Sequence, residues 1–292
     1  MTSFDLPNET SPHEMTCMEI LGGIEATERA VKCPGLDVWI RSRPFRDEST
    51  GGDVHYLSLC GGGVITRVLL GDVSGHGEHV REYAEELRRL VKRHIVRKSQ
   101  RRFMRDLNQN FTEYADLRRF ATAVVMTYLS HNRSVEMCIA GHPRPAFWNS
   151  GQRKWAYLGE GLANGAETSI GITNMPIGVV DNLAYDTFRF PLESGDLLLL
   201  YSDALIEARS PDGRTLGETG LIDMLASIDP SEQSCSAVGQ SLLEAVARFR
   251  GDHPSEDDET LMVLKHTGTG PKGAGLAERL DAVVKMLRIK DF

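Results

Sequence analysis

Between Asp53 and Val73 the chain reads DVHYLSLC, then GGG, then VITRVLLGDV. Two runs rich in β-branched, aromatic and aliphatic residues flank three consecutive glycines, the signal of a β-hairpin. The hairpin commits this region to antiparallel pairing. Upstream, LDVWIRSRPF alternates, with Val38 and Ile40 on one face and Trp39 and Arg41 on the other. Downstream come two amphipathic helical segments. In EHVREYAEELRRLVKRHIVRK, residues Val80, Tyr83, Ala84, Leu87, Leu90, Val91, His94 and Ile95 recur at three- and four-residue steps, and Phe103, Leu107, Phe111 and Tyr114 repeat the pattern in the next. Strand signals return in FATAVVMTYLS, RSVEMCIAGH, PAFWN and AYDTFRFPLESGDLLLLYSD, followed by a helical region from Leu216 to Arg248 and a last strand in DDETLMVLKH. Strands, two central helices, more strands and late helices predict a layered α+β domain rather than alternating βαβ units. Residues 1–35 read as a polar lead-in, residues 36–267 as the domain, and residues 268–292 as a Gly/Thr/Pro-rich linker with a C-terminal amphipathic helix.

Bulk properties remove several function classes. The 292 residues carry a formal net charge of −8, which argues against nucleic acid as a partner. The one basic stretch, Arg88 to Arg102, reads either as a dock for an acidic partner or, the favoured reading, as the solvated face of a helix. Five cysteines, none in a C-x-x-C pair, fit neither a disulfide framework nor a zinc site. The first residues lack the basic start and apolar core of a signal peptide. No apolar run approaches the roughly 20 residues that span a bilayer. The expectation is a cytoplasmic protein with no membrane contact.

Four acidic positions share one context. Asp53 follows Gly51-Gly52 and opens a strand, Asp72 closes one before Val73-Ser74-Gly75, Asp203 follows the apolar run ending at Tyr201, and Asp257-Asp258 precede TLMVL. Taken singly, aspartate and glycine at strand ends are ordinary turn residues. Taken together, strand-terminal carboxylates that converge on one sheet edge are expensive unless cations sit among them. All-oxygen donors select Mg²⁺ or Mn²⁺. Periodicity alone leaves open whether the four meet.

The segments GGDVHYL, LLGDVSGHG, FATAVVMTYL, AGHPRPAFW, MPIGVV, SGDLLLLYSDALIEAR and DDETLMVL resemble, in this order, the motifs of PPM-type metal-dependent serine/threonine phosphatases, and more closely their bacterial SpoIIE-like branch. The resemblance runs from about Asp37 to His266. It implies a four-layer α-β-β-α sandwich of two antiparallel sheets flanked by helices. It implies two Mn²⁺ or Mg²⁺ ions bridged by Asp72, with the backbone carbonyl of Val73 on one, Asp203 and Asp257 on the other, and Asp53 holding metal-bound waters. Gly51, Gly52, Gly75 and Gly77 would let the backbone approach the ions. The implied reaction is attack of metal-activated water on phosphoserine or phosphothreonine, without a phospho-enzyme. The implied partner is a phosphorylated regulatory protein, such as an anti-sigma-factor antagonist, in a partner-switching signalling pathway. The helices at 78–117 are the implied regulatory and homodimer element.

Some residues stay open at this level. His76 either protonates the leaving serine oxygen or caps the turn. His142 reads as a structural turn residue near the site. The chain departs from the family pattern at Ala204, where glycine is usual, and at Glu259, where an apolar residue is usual. Neither change removes a ligand, but they sustain an alternative: a pseudophosphatase acting as a binding or scaffold module. A nucleotide-binding loop at GDVSGHG is excluded, because it lacks the P-loop lysine and sets a carboxylate where phosphate would lie.

Overall fold

The hairpin shows how the layers arise. In β5 (Thr50–Cys60) and β6 (Ile65–Val73), the strand period of two sends Leu57, Leu59, Val68 and Leu70 to one face and Val54, Tyr56, Leu69 and Val73 to the other. Both faces are apolar, so both must be covered. The turn between the strands uses Gly61, Gly62 and Gly63, each at positive φ (65°, 70° and 84°), where side chains with a Cβ are disfavoured.

The computed structural model describes residues 12–75, 78–95, 97, 99–114, 119–159 and 173–269. Their strands form two sheets. One has the order β1 (His13–Glu14), β3 (Thr27–Cys33), β4 (Leu36–Arg43), β14 (Glu259–His266), β13 (Leu197–Tyr201), β9 (Ala146–Asn149), β10 (Lys154–Tyr157). The other has the order β11 (Thr173–Asn174), β8 (Ser134–Ala140), β7 (Ala121–Leu129), β6, β5, β2 (Ile20–Glu25), with β12 (Phe188–Pro191) also pairing with β8. Pairing is antiparallel except for β1 with β3 and β11 with β8.

The inner faces meet in one core that includes Val38, Ile40, Leu57, Val68, Val124, Leu198 and Met262. Outside the second sheet, α1 (Glu78–His94) and α2 (Gln100–Tyr114) bury Leu87, Val91, Phe103 and Phe111 against Tyr56, Leu69 and Val125. Outside the first, α3 (Gly217–Ala226) and α4 (Cys235–Arg250) bury Leu221, Val238, Leu242 and Val246 against Trp39, Leu199 and Val263. This is the expected four-layer α-β-β-α sandwich.

The junction of α1 and α2 rests on a buried cation. Arg67, 1% exposed, points from β6 toward the helices. Its Nε donates to Thr127 Oγ1 (3.0 Å) and its Nη1 to the carbonyls of Ile95 and Arg97 (2.6 Å each). These bonds occupy carbonyls of the short connection that follows α1. Most of the basic stretch faces solvent: Arg89, Lys92, Arg93, Arg97, Arg101 and Arg102 are exposed, as the solvated-face reading expects.

Two expectations meet a different outcome. Residues 13–33 are not a lead-in: they supply β1, β2 and β3, with Ile24 and Val31 each 1% exposed. Their signal is weak because Gly22-Gly23 interrupts β2, while Glu28 and Lys32 lie on the open face of β3 and Arg29 sits exposed at its start. The strand β10 was also not expected, being four residues joined to β9 by a short turn. The C-terminal helix expected within residues 268–292 lies outside the described residues, which end at residue 269, as do residues 115–118 at the end of the 78–117 pair. Among the described residues no helix is long and apolar enough to cross a membrane.

Candidate metal centre

The register of β5 on β6 sets Asp53 directly opposite Asp72. Both share the strand parity of Leu57 and Leu70, so both face the other sheet. There, β13 ends where β14 begins, with Tyr201 paired to Leu261. Asp203 therefore follows one central strand and Asp257-Asp258 precede its neighbour. The two sheets are joined at this end by Asp258, whose Oδ1 accepts from the Phe45 N–H (2.7 Å) and whose Oδ2 accepts from the Gly52 N–H (2.5 Å). Five carboxylates from four strand ends thus gather at one mouth of the inter-sheet space.

Like charges directly opposite in a sheet repel, and burial amplifies the cost. Asp53 is 2% exposed. Burial first, then the charges of Asp72 and Asp258, push its carboxyl well above the usual range. The hydroxyls of Thr260 and Ser202 approach and temper the rise, but neither completes a well-formed bond, and both Asp53 oxygens are buried without a hydrogen-bond partner. Asp72 is pushed up to about 8, by burial and then by Asp203, Asp257, Asp258 and Glu207. Asp203 is raised to about 6, by burial and then by Glu207 and Asp257. Unsatisfied buried oxygens and mutually raised carboxyls are what a hard cation relieves. The donor set fits Mg²⁺ or Mn²⁺. Among the described residues no three Asp, Glu, His or Cys side chains converge tightly enough to hold an ion by themselves, so waters and backbone carbonyls must complete any shell.

The flanking backbone defines the remaining space. A Cβ on Gly51 would lie 2.4 Å from Asp258 Oδ1, so this glycine makes room for a carboxylate. The Val73 carbonyl faces the same space, 3.5 Å from where a Cβ on Gly52 would stand. Gly75 abuts Arg119, whose Nη1 donates to the Ser74 carbonyl at 2.9 Å. A small cavity of about 50 Å³ touches Gly51, Gly52, Gly75, Asp257 and Asp258. A larger one of about 350 Å³ opens on the other side of Asp257, lined by Glu207, Arg209, Ser210, Arg250 and His253.

Asp53, Asp72, Val73, Asp203 and Asp257 therefore come to one place. His76 and Gly77 lie outside the described residues. His142 is buried under the site, sharing a 2.8 Å hydrogen bond between its Nδ1 and Thr122 Oγ1. Thr122 is the partner of Asp72 across the ladder. Burial lowers the imidazole to about 3, so it stays neutral. Sequence reasoning passed over Asp258 as a separate contributor, together with Glu207 and Arg250. Asp258 had a visible signal, its adjacency to Asp257. Ala204 lies in a 3-10 turn, Asp203–Leu205, and is not among the residues with positive φ, so alanine there carries no left-handed strain. Glu259 pairs with Arg250 at 2.6 Å, which neutralises the charge it adds.

The fold has known counterparts. Phosphoserine phosphatase RsbP of Bacillus subtilis is 21% identical over 202 residues, 68% of this chain and 45% of RsbP. The chain thus spans about half the length of this curated relative. The crystal structure of the RsbU and RsbW domains of a Mycobacterium tuberculosis protein superposes with a TM-score of 0.66 at 22% identity, covering 82% of this chain and 63% of that one. The PP2C phosphatase domain of Bacillus subtilis SpoIIE, with a fragment of its regulatory domain, gives 0.65 at 16% identity, covering 85% and 71%. The catalytic domain of the serine/threonine phosphatase PstP, solved with two manganese ions, gives 0.52 at 14% identity, covering 80% and 98%. The family model of stage II sporulation protein E (SpoIIE) matches residues 64–267, more than half of the chain, and the protein belongs to that family.

Proposed function

We propose that this protein is a metal-dependent phosphatase that hydrolyses phosphoserine or phosphothreonine on a regulatory protein of a partner-switching pathway. The observation that carries the reading is the convergence of Asp53, Asp72, Asp203 and Asp257 with buried, unpartnered Asp53 oxygens. Two ions, Mn²⁺ or Mg²⁺, would be shared by Asp72, with the Val73 carbonyl serving one and Asp203 and Asp257 the other. When bound, such ions acidify water near neutral pH and neutralise charge on a phosphoryl group.

The chain's own groups do the rest. Asp53 accepts hydrogen bonds from waters in the inter-sheet mouth and orients them. The cleft beside Asp257 offers Arg209 and His253 to the segment around the phosphorylated residue. His76 is proposed as proton donor to the leaving serine oxygen. The relatives support the protein-substrate class: one is named a phosphoserine phosphatase, and another carries RsbU and RsbW domains. A phosphorylated anti-sigma-factor antagonist is the substrate we favour.

The test is phosphate release from a phosphoserine peptide and from para-nitrophenyl phosphate, with Mn²⁺, with Mg²⁺ and with EDTA. Activity should require the cation and vanish in Asp72→Asn. Hydrolysis that persists in EDTA, or in that variant, would sink the assignment.

A further inference from the structure

The two positions where the chain departs from its family's pattern, Ala204 and Glu259, touch the same side chain. Arg250 ends α4 and is 8% exposed. Its Nη1 donates to Glu259 Oε2 (2.6 Å) and its Nη2 to the Ala204 carbonyl (2.9 Å). The Ala204 bond is buried, and a guanidinium fork can hold both acceptors at fixed geometry.

The other side of Asp203 is tied to the same anchor. Ser202 is 0% exposed. Its Oγ donates to the Asp258 carbonyl (3.1 Å) and accepts from the Thr260 N–H (2.9 Å). Its N–H donates to the Thr260 carbonyl (3.0 Å). Asp203 thus sits between two tethered residues, and both tethers end within residues 258–260, the segment directly after Asp257. Ser202 makes one of them through the ladder. Arg250 makes the other from outside the sheet, across 46 residues of sequence to Ala204 and 9 to Glu259.

We propose that Arg250, paired with Glu259, is a positioning residue that fixes the Asp203 turn relative to Asp257 and so sets the spacing of those two carboxylates. The inference rests on the metal-dependent reading above. It also assigns a purpose to one of the departures: Glu259 holds the guanidinium, while residue 204 contributes only its backbone carbonyl. Groups that orient metal ligands from behind typically change metal affinity 10–100-fold when removed.

The test uses the full chain and two variants. Arg250→Met/Glu259→Leu exchanges the buried pair for apolar groups of similar volume, a replacement that folds often tolerate. Arg250→Lys keeps a charge for Glu259 but cannot span both acceptors, and it serves should the double variant fail to fold. In EDTA, amide exchange is followed at Leu205 and Glu207, which donate to the Ser202 and Asp203 carbonyls. Exchange there should quicken at least tenfold in both variants, with Val246 in the interior of α4 unchanged. Calorimetric titration with Mn²⁺ should show affinity about tenfold or more below wild type. Folded variants with wild-type exchange and wild-type Mn²⁺ affinity overturn the inference and leave the proposed function standing. A wild-type protein that binds no Mn²⁺ overturns the metal reading, and this inference with it.

Discussion

Replacing Asp72 with asparagine should abolish activity yet make the metal-free protein more stable. The Asp72 carboxyl is raised to about 8, against about 3.9 in an unfolded chain. The fold therefore keeps a proton that the unfolded chain releases, and between these values stability falls as pH rises. At pH 7 the penalty reaches at most about 4 kcal/mol, from 1.36 kcal/mol per unit over the roughly 3 units between 3.9 and 7. Asparagine removes the ionisation but leaves a desolvated polar group, which costs about 1–3 kcal/mol. A net gain of about 1–3 kcal/mol remains. For a domain of this size that is a rise of roughly 2–12 °C in Tm, at about 2–4 °C per kcal/mol. Mn²⁺ reverses the order: at a thousand times its Kd the ion adds about 4.1 kcal/mol to wild type and nothing to the variant. Scanning calorimetry of both proteins, in EDTA and in excess Mn²⁺, reads the crossing directly. A variant that melts below wild type in EDTA would refute the reasoning, because the carboxylate would then be a net stabiliser of the empty site.

Three further outcomes follow from the same geometry. In EDTA the wild-type Tm should decline as pH is raised from about 4 to 8, since Asp203 (about 6) and Asp72 (about 8) are forced to ionise late; saturating Mn²⁺ should flatten this slope, and a Tm that climbs over that range in EDTA would contradict it. Gly51→Ala places a Cβ 2.4 Å from Asp258 Oδ1, so it should drive that carboxylate off the Gly52 N–H and weaken Mn²⁺ binding by about tenfold in a titration. Arg67→Met removes the donors to Ile95 and Arg97 and should cost about 3 kcal/mol in urea unfolding, with faster tryptic cleavage at the α1–α2 junction; an unchanged cleavage rate would show that the junction is held by packing alone.

What could be read in advance follows the range of the interactions involved. The β5–β6 hairpin was legible because its turn chemistry and alternation are local. The same holds for α1, α2 and the strand-end aspartates, whose neighbours carry the pattern. β2 and β3 were not legible: a glycine pair breaks one, and only Val31 and Cys33 are buried on the face of the other. Asp53 and Asp72 could be nominated as site residues, but their direct opposition is a matter of register. The link from Asp258 to Gly52 spans 206 residues, and no local pattern encodes it. Ala204 and Glu259 looked like two independent blemishes in a motif, because the guanidinium that joins them belongs to a helix with no motif of its own.

The strand order has a consequence for how the molecule comes into being. β14, the last of the described strands, does not close an edge of its sheet; it lies between β4 and β13. A chain emerging from the ribosome completes the Asp53–Asp72 hairpin early, yet its first sheet stays split until residues 259–266 arrive and pair on both sides. Until then β4 and β13 present open edges, the kind that recruit strands from other chains. The residues that begin this wedge directly follow Asp257 and Asp258. Assembly of the sheet and gathering of the carboxylates are therefore coupled, and a prematurely terminated chain would expose pairing edges without ever forming the cluster.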